Sequence, residues 1–224
     1  MQTHRKGLTG FTLIELLIVM VVIALLAAGV TLGLSAGFSP GPLLALVVSQ
    51  TIRHGCREGA KVAFAPVITD FPIIFLSTLI LANLSGYKAV LGLLSIAGGL
   101  FLVYLAYENV KTGGMEVTLD EGEPRSFLKG AMVNALSPHP YIFWITVGGP
   151  LIMRGASENP LSPAVFIASF LGCLVGSKML LAVVVGRSRQ FLSGKTYVCI
   201  MRVLGLALLL FAFVLFRDGI RHLR

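Results

Sequence analysis

The sequence predicts an all-α fold, a polytopic membrane helix bundle of about six transmembrane helices arranged as two inverted three-helix halves. Three observations carry this expectation. The 224-residue chain is 56% hydrophobic and only 12% charged, with a mean hydropathy of +0.89, whereas soluble domains carry about 25% charged residues. Charge-free stretches long enough to cross a bilayer recur along most of its length and leave no long soluble domain. Finally, the tetrapeptide Ser-Pro-x-Pro occurs twice inside apolar runs, as Ser39-Pro40-Gly41-Pro42 and as Ser137-Pro138-His139-Pro140. Proline inside a helix removes a backbone hydrogen bond, and lipid cannot repair that loss, so such breaks belong in protein or along a water-filled cavity. Paired Pro/Gly-interrupted spans in matching halves point to a transporter's binding site.

Taken in order, the spans are residues 24–52, 62–87, 89–107, 130–153, 159–186 and 196–216. The first holds the first tetrapeptide. The second holds Asp70, flanked by Pro66 and Pro72, which loosen the helix there. The third holds Gly92, Gly98 and Gly99, suited to close helix packing, with Tyr104 and Tyr107 as an interfacial belt. The fourth holds Asn134, the second tetrapeptide and Trp144; the fifth holds Lys178, and the sixth Arg202. Segment 111–126, rich in Gly and acids and closed by Pro124, reads as a solvated linker between halves at about 24–110 and 127–216.

Positive charge sorts the connections. Ten Lys and Arg crowd 53–61, 108–129 and 187–202, while the alternate connections hold only Lys88 and Arg154. Excess Lys and Arg marks the cytoplasmic face, so the three rich connections are expected inside. The first span then runs inward and the fourth outward, which inverts the halves. At about 1.5 Å per residue from the inner loops, both breaks, Asp70 and Lys178 fall roughly 14–21 Å deep, near the middle of a core of about 30 Å.

An ionisable residue at that depth is a functional hypothesis by default. Asp70 is the expected proton carrier, set against a purely structural ion pair. Lys178 is expected either to pair with Asp70 or to snorkel toward Arg187. His139 carries an imidazole whose ordinary pKa of about 6.5 suits proton transfer; filling a helix break is its alternative role. Asn134 can hydrogen-bond across helices. Ser39 and Ser137 either satisfy carbonyls freed by the prolines or contact substrate, and Pro40, Gly41, Pro42 and Pro138 supply exposed carbonyls. Trp144 is read as span packing or as a gate. These ten residues, Ser39, Pro40, Gly41, Pro42, Asp70, Asn134, Ser137, Pro138, His139 and Lys178, form the expected translocation site.

Several classes are excluded. The formal charge of +8 bears on membrane orientation before nucleic acid, since no basic run is interleaved with aromatics. No H-E-x-x-H, G-x-S-x-G or P-loop occurs, so protease, hydrolase and ATPase chemistry has no motif to rest on, and the chain is read as a non-enzyme. Cys56, Cys173 and Cys199 lack CxxC spacing and read as apolar fillers rather than disulfide or metal ligands. Neither a cofactor nor a metal is expected.

From about Ala24 onward the chain resembles the lysine-exporter (LysE-type) translocator family. The resemblance rests on Gly37-Phe38-Ser39-Pro40-Gly41-Pro42, on Arg53-His54-Gly55 with Glu58-Gly59, and on Thr69-Asp70. It continues through Gly98-Gly99-Leu100-Phe101-Leu102-Val103-Tyr104-Leu105-Ala106 and Lys129-Gly130-Ala131-Met132-Val133-Asn134-Ala135-Leu136-Ser137-Pro138. It implies a six-span secondary transporter in a prokaryotic cytoplasmic membrane. Such a protein exports amino acids or similar small metabolites down an ion gradient. The family commonly has Asn-Pro followed by Lys where this chain has Ser137-Pro138-His139, which replaces a cation with a titratable ring.

The start of the chain resembles something else. Lys6-Gly7-Leu8-Thr9-Gly10-Phe11-Thr12-Leu13-Ile14-Glu15-Leu16-Leu17 is similar to a type IV prepilin leader, which is cut after the glycine and uses a glutamate at the fifth mature position. Gly10, Phe11 and Glu15 are its processing residues, and a prepilin peptidase is the implied partner. The organisation is thus 1–23, a leader-like extension, and 24–224, a translocator. The charge-free run from Leu16 to Ile52 would be about 55 Å as one helix, too long for the bilayer core. The leader is therefore cleaved, protrudes or forms an extra span, or translation starts at Met20. A pilin-like membrane component is the alternative function, and a passive channel is a third; the substrate, coupling ion and oligomeric state stay open.

Overall fold

The computed structural model describes residues 13–84, 88–111, 125–187 and 195–223. Gly10, Phe11, and residues 112–124 of the expected linker lie outside the described residues. Everything described is helical or a short connection: α1 (Leu13–Phe38), α2 (Pro42–His54), α3 (Cys56–Leu84), α4 (Lys88–Lys111), α5 (Ser126–Leu136), α6 (Pro138–Phe143), a π-helical turn (Trp144–Gly148), α7 (Gly149–Glu158), α8 (Ser162–Arg187) and α9 (Lys195–Leu223). The molecule is a polytopic helical bundle. Five of its helices are each long and apolar enough to cross a membrane unaided. The fourth expected span reaches that length only as α5, α6, the π turn and α7 together.

Both Ser-Pro-x-Pro copies break their helices. Pro42 sits in the first turn of α2, and Gly41 ahead of it is fully extended at φ −175° and ψ 175°. Ser137 is extended at φ −73° and ψ 133°, and Pro138 opens α6. Proline tolerates the first turn of a helix because its missing N–H has no partner there anyway. Pro66 and Pro72, by contrast, lie inside α3 without ending it. The expected connection at 53–61 is not a loop. α2 ends at His54, Gly55 turns the chain at φ 91°, and α3 starts at Cys56. Only glycine takes that φ without strain, so the basic residues Arg57 and Lys61 ride on the first turns of α3.

Packing is reciprocal between the halves. α1 lies along α8, while α5 lies along α3; α4 and α9 form the most extensive pair of all. The leading helix of each broken span therefore rests on the unbroken middle helix of the other half, while α2 and α7, which follow the breaks, also pack on the middle helix of their own half. The α1–α8 seam is made of small residues at four-residue spacing. Gly29, Gly33 and Gly37 of α1 face Ser169, Cys173 and Ser177 of α8, and a Cβ on Gly29 would stand 2.8 Å from the Phe166 carbonyl oxygen. Small residues at this spacing let helix backbones approach in a membrane, where packing rather than the hydrophobic effect drives association. In the α4–α9 pair, Gly92 and Gly219 cross, each facing the other's carbonyl at 3.0 Å from an added Cβ. Gly99 packs on Phe216 and Gly98 on the π turn at Thr146.

α1 outruns its partners. Its Leu25 is level with the α7–α8 corner, where a Cβ on Gly155 would meet Leu25 Cδ1 at 2.6 Å. Ahead of Leu25, the apolar side chains of Leu16, Leu17, Val19, Met20 and Ile23 are all exposed.

Candidate functional site

The two breaks meet at a cavity of about 250 Å³, the liquid volume of roughly eight water molecules. Nine of the ten sequence-derived residues line it: Ser39, Pro40, Gly41, Pro42, Asp70, Asn134, Ser137, His139 and Lys178. Pro138 does not.

Asp70 is buried at 3% exposure in the middle of α3. Its Oδ1 accepts a 2.7 Å hydrogen bond from Asn134 Nδ2, which also donates to Thr69 Oγ1 at 2.7 Å. Its Oδ2 accepts from Trp144 Nε1 at 3.3 Å. Asn134 is therefore the cross-helix donor expected of it. Trp144 is fully buried, packs edge-on against Phe143, Phe166 and Phe170, and turns its one polar atom to the carboxylate. The π turn at Trp144–Gly148 makes room for this ring, which lies against the backbone of Gly148. Single π turns inside α-helical stretches recur at functional sites.

Lys178 corrects both expectations for it. It neither forms an ion pair within 4 Å of Asp70 nor snorkels outward. Instead, 3% exposed, it donates from Nζ to the carbonyls of Ala36 at 3.3 Å and Gly37 at 3.1 Å. The cause lies in the first break. Pro40 has no N–H to give the Ala36 carbonyl four residues back, and Gly41 is too extended to reach Gly37. A cation at a helix C-terminus satisfies such orphan carbonyls and opposes the helix dipole. Tyr197 completes the cap by donating to the Phe38 carbonyl at 3.0 Å. The Ala36, Gly37 and Phe38 carbonyls freed at this break are thus engaged by α8 and α9.

The same turn is tied to α4. Asn109, fully buried, donates from Nδ2 to Ser35 Oγ at 3.1 Å and accepts at Oδ1 from Ser39 Oγ at 3.2 Å. Ser39 therefore has a defined partner among its own protein's groups. At the second break, Tyr141 donates to the Ala135 carbonyl at 2.8 Å. Ser137 Oγ lies 3.4 Å from His139 Nδ1, and the His139 ring approaches those of Phe101 and Tyr104. Glu108, which accepts from Tyr104 at 2.6 Å, lines the cavity on the α4 side. Sequence reading did not single out Asn109, Ser35, Glu108 or Tyr197. The three cysteines are free, and the described residues contain no group of three or more His, Cys, Asp or Glu able to hold a metal.

Two broken helices around one cavity with an acid and a base in its wall define a membrane transporter. A family model described as LysE type translocator matches residues 34–219, and one described as prokaryotic N-terminal methylation motif matches residues 5–31. The chain belongs to the LysE type translocator family. It is a multi-pass membrane protein, and its family consists of transporters rather than enzymes. Comparison with curated proteins and with solved structures gave no match.

Proposed function

We propose that the protein exports amino acids or similar small zwitterionic solutes across a prokaryotic cytoplasmic membrane, driven by an ion gradient. The carrying observation is that Asp70 and Lys178, each 3% exposed, line one small cavity without bonding to each other. Opposite charges held apart in one cavity suit a solute with an ammonium and a carboxylate. The Lys178 ammonium has three donors and spends two on carbonyls, which leaves one for a ligand. Asp70 is the group expected to take up the coupling proton, with the basic connections facing the cytoplasm. The test is flux in reconstituted vesicles under an imposed pH gradient. The parent should move an amino acid with the gradient, and Asp70→Asn, which keeps the shape and one of the two acceptors, should insert yet lose the coupling. Parent-level export by Asp70→Asn would refute the coupling role.

A second reading is favoured by the methylation motif at 5–31. In that reading the chain is processed after Gly10 and Glu15 lies near the new terminus of a pilin-like component. Co-expression with a prepilin peptidase should leave Phe11 as the first residue by intact mass; an unchanged mass excludes processing. Processing and export are compatible outcomes.

A further inference from the structure

We infer that Asn109 is a specificity-determining positioning residue: through Ser35 and Ser39 it presents one hydrogen-bond donor and one acceptor to the cavity. These select solutes whose side chain carries a neutral hydroxyl or amide. The inference rests on the amino-acid reading above and adds the side-chain class to it.

Ser35, in the last turn of α1, and Ser39, just past its end, are four residues apart and joined by the Ser39 N–H to the Ser35 carbonyl at 2.9 Å, and both line the cavity. Asn109 lies behind them, fully buried on α4. Its amide fixes both hydroxyls by opposite bonds. Ser39 spends its hydrogen on Asn109 Oδ1, so only its oxygen lone pairs are left to face a ligand. Ser35 accepts from Asn109 Nδ2, so its own hydrogen is uncommitted. Turning the amide over exchanges the two roles, and one donor and one acceptor still face the cavity. No orientation of Asn109 offers two donors, and each hydroxyl keeps an acceptor lone pair.

The pair is neutral and sits beside the carbonyls of Ala36 and Gly37 that hold Lys178. A zwitterion with its charged ends at Asp70 and Lys178 would bring its side chain to this wall. A hydroxyl or primary amide can satisfy both serines at once, because each both donates and accepts. An alkyl side chain of equal size leaves the Ser35 hydrogen without a partner, and a buried donor left unsatisfied is what makes such a site selective.

The experiment uses the full chain in lipid nanodiscs and measures binding of two matched pairs: L-threonine against L-valine, and L-asparagine against L-leucine. The parent should bind the polar member of each pair at least about fivefold more tightly, the worth of one net hydrogen bond. Asn109→Leu and Ser35→Ala should each bring the ratio to within about twofold. Ser35→Ala keeps the Asn109–Ser39 bond and carries the test if Asn109→Leu does not fold. A parent ratio within twofold, an unchanged ratio in the variants, or no binding of any of the four overturns the inference. Selective binding without gradient-driven export would sink the transport reading and leave the inference standing; export without side-chain selectivity would do the reverse.

Discussion

Replacing Lys178 by Met separates two jobs that one side chain performs. Its Nζ caps the carbonyls of Ala36 and Gly37, and its charge shares a cavity with buried Asp70. Met matches the length of the stem and removes only the ammonium. Loss of a cation from a partly buried helix C-terminus costs up to about 2 kcal/mol. Leaving a buried opposite charge uncompensated costs about 3–5 kcal/mol. If both jobs matter, Lys178→Met should lose about 3–5 kcal/mol or more. Adding Asp70→Asn removes the stranded carboxylate while keeping one of its two acceptors and the shape. The double variant should then recover to within about 2 kcal/mol of the parent, the residue being the lost cap. Reversible denaturant unfolding in mixed micelles, run as a double-mutant cycle, reads both numbers. A double variant no more stable than Lys178→Met refutes the electrostatic coupling and leaves Lys178 as a helix cap alone.

Three further outcomes follow from the packing. Gly33→Leu on the α1–α8 seam should cost at least about 3 kcal/mol or prevent folding, because its Cβ would strike the Phe170 carbonyl and Cys173; Gly172→Ala and Gly176→Ala, which meet nothing within 4 Å, should stay within about 0.5 kcal/mol. Equal unfolding midpoints for the two sets would contradict the seam. Because Trp144 is the single tryptophan of the chain and donates to Asp70, its emission should shift in Asp70→Asn; an unchanged spectrum would mean the bond is not formed. In a cysteine-free background, Arg57→Cys should resist an impermeant thiol reagent applied to intact cells while Arg154→Cys reacts, and the opposite pattern would reverse the proposed orientation.

The parts of this molecule legible in its sequence are those written in backbone chemistry. Pro40, Pro42 and Pro138 cannot donate, so the two breaks and their polar surroundings follow from residue type alone. Asp70 and Asn134 were legible for a related reason, since polar groups in apolar spans must find each other. Lys178 was misread because its partners are the carbonyls of Ala36 and Gly37. Carbonyls are the same in every residue and leave no trace in sequence; only the fold shows which of them a distant ammonium meets. Asn109 was hidden by its place near the end of a span, where a polar residue is ordinarily solvated. Its burial depends on Gly205 of α9 packing against it and on the hydroxyls of Ser35 and Ser39 at its tip. The Gly29, Gly33 and Gly37 spacing was present to be read, matched by Ser169, Cys173 and Ser177 on the opposing helix. The π turn at Trp144 has no comparable signature, since it depends on the ring beneath it.

The reciprocal packing explains why the breaks, rather than the spans, define the site. Here α1 rests on α8 and α5 on α3. Each break is consequently delivered to the other half's buried ion: Ala36 and Gly37 to Lys178, and Asn134 with Trp144 to Asp70. The two deliveries differ in kind. The first break presents acceptors and receives a cation; the second presents donors and receives an anion. The bundle is thus reciprocal in its helix packing and complementary in its charges. That complementarity gives one cavity both signs of charge, with neither neutralised by direct contact with the other.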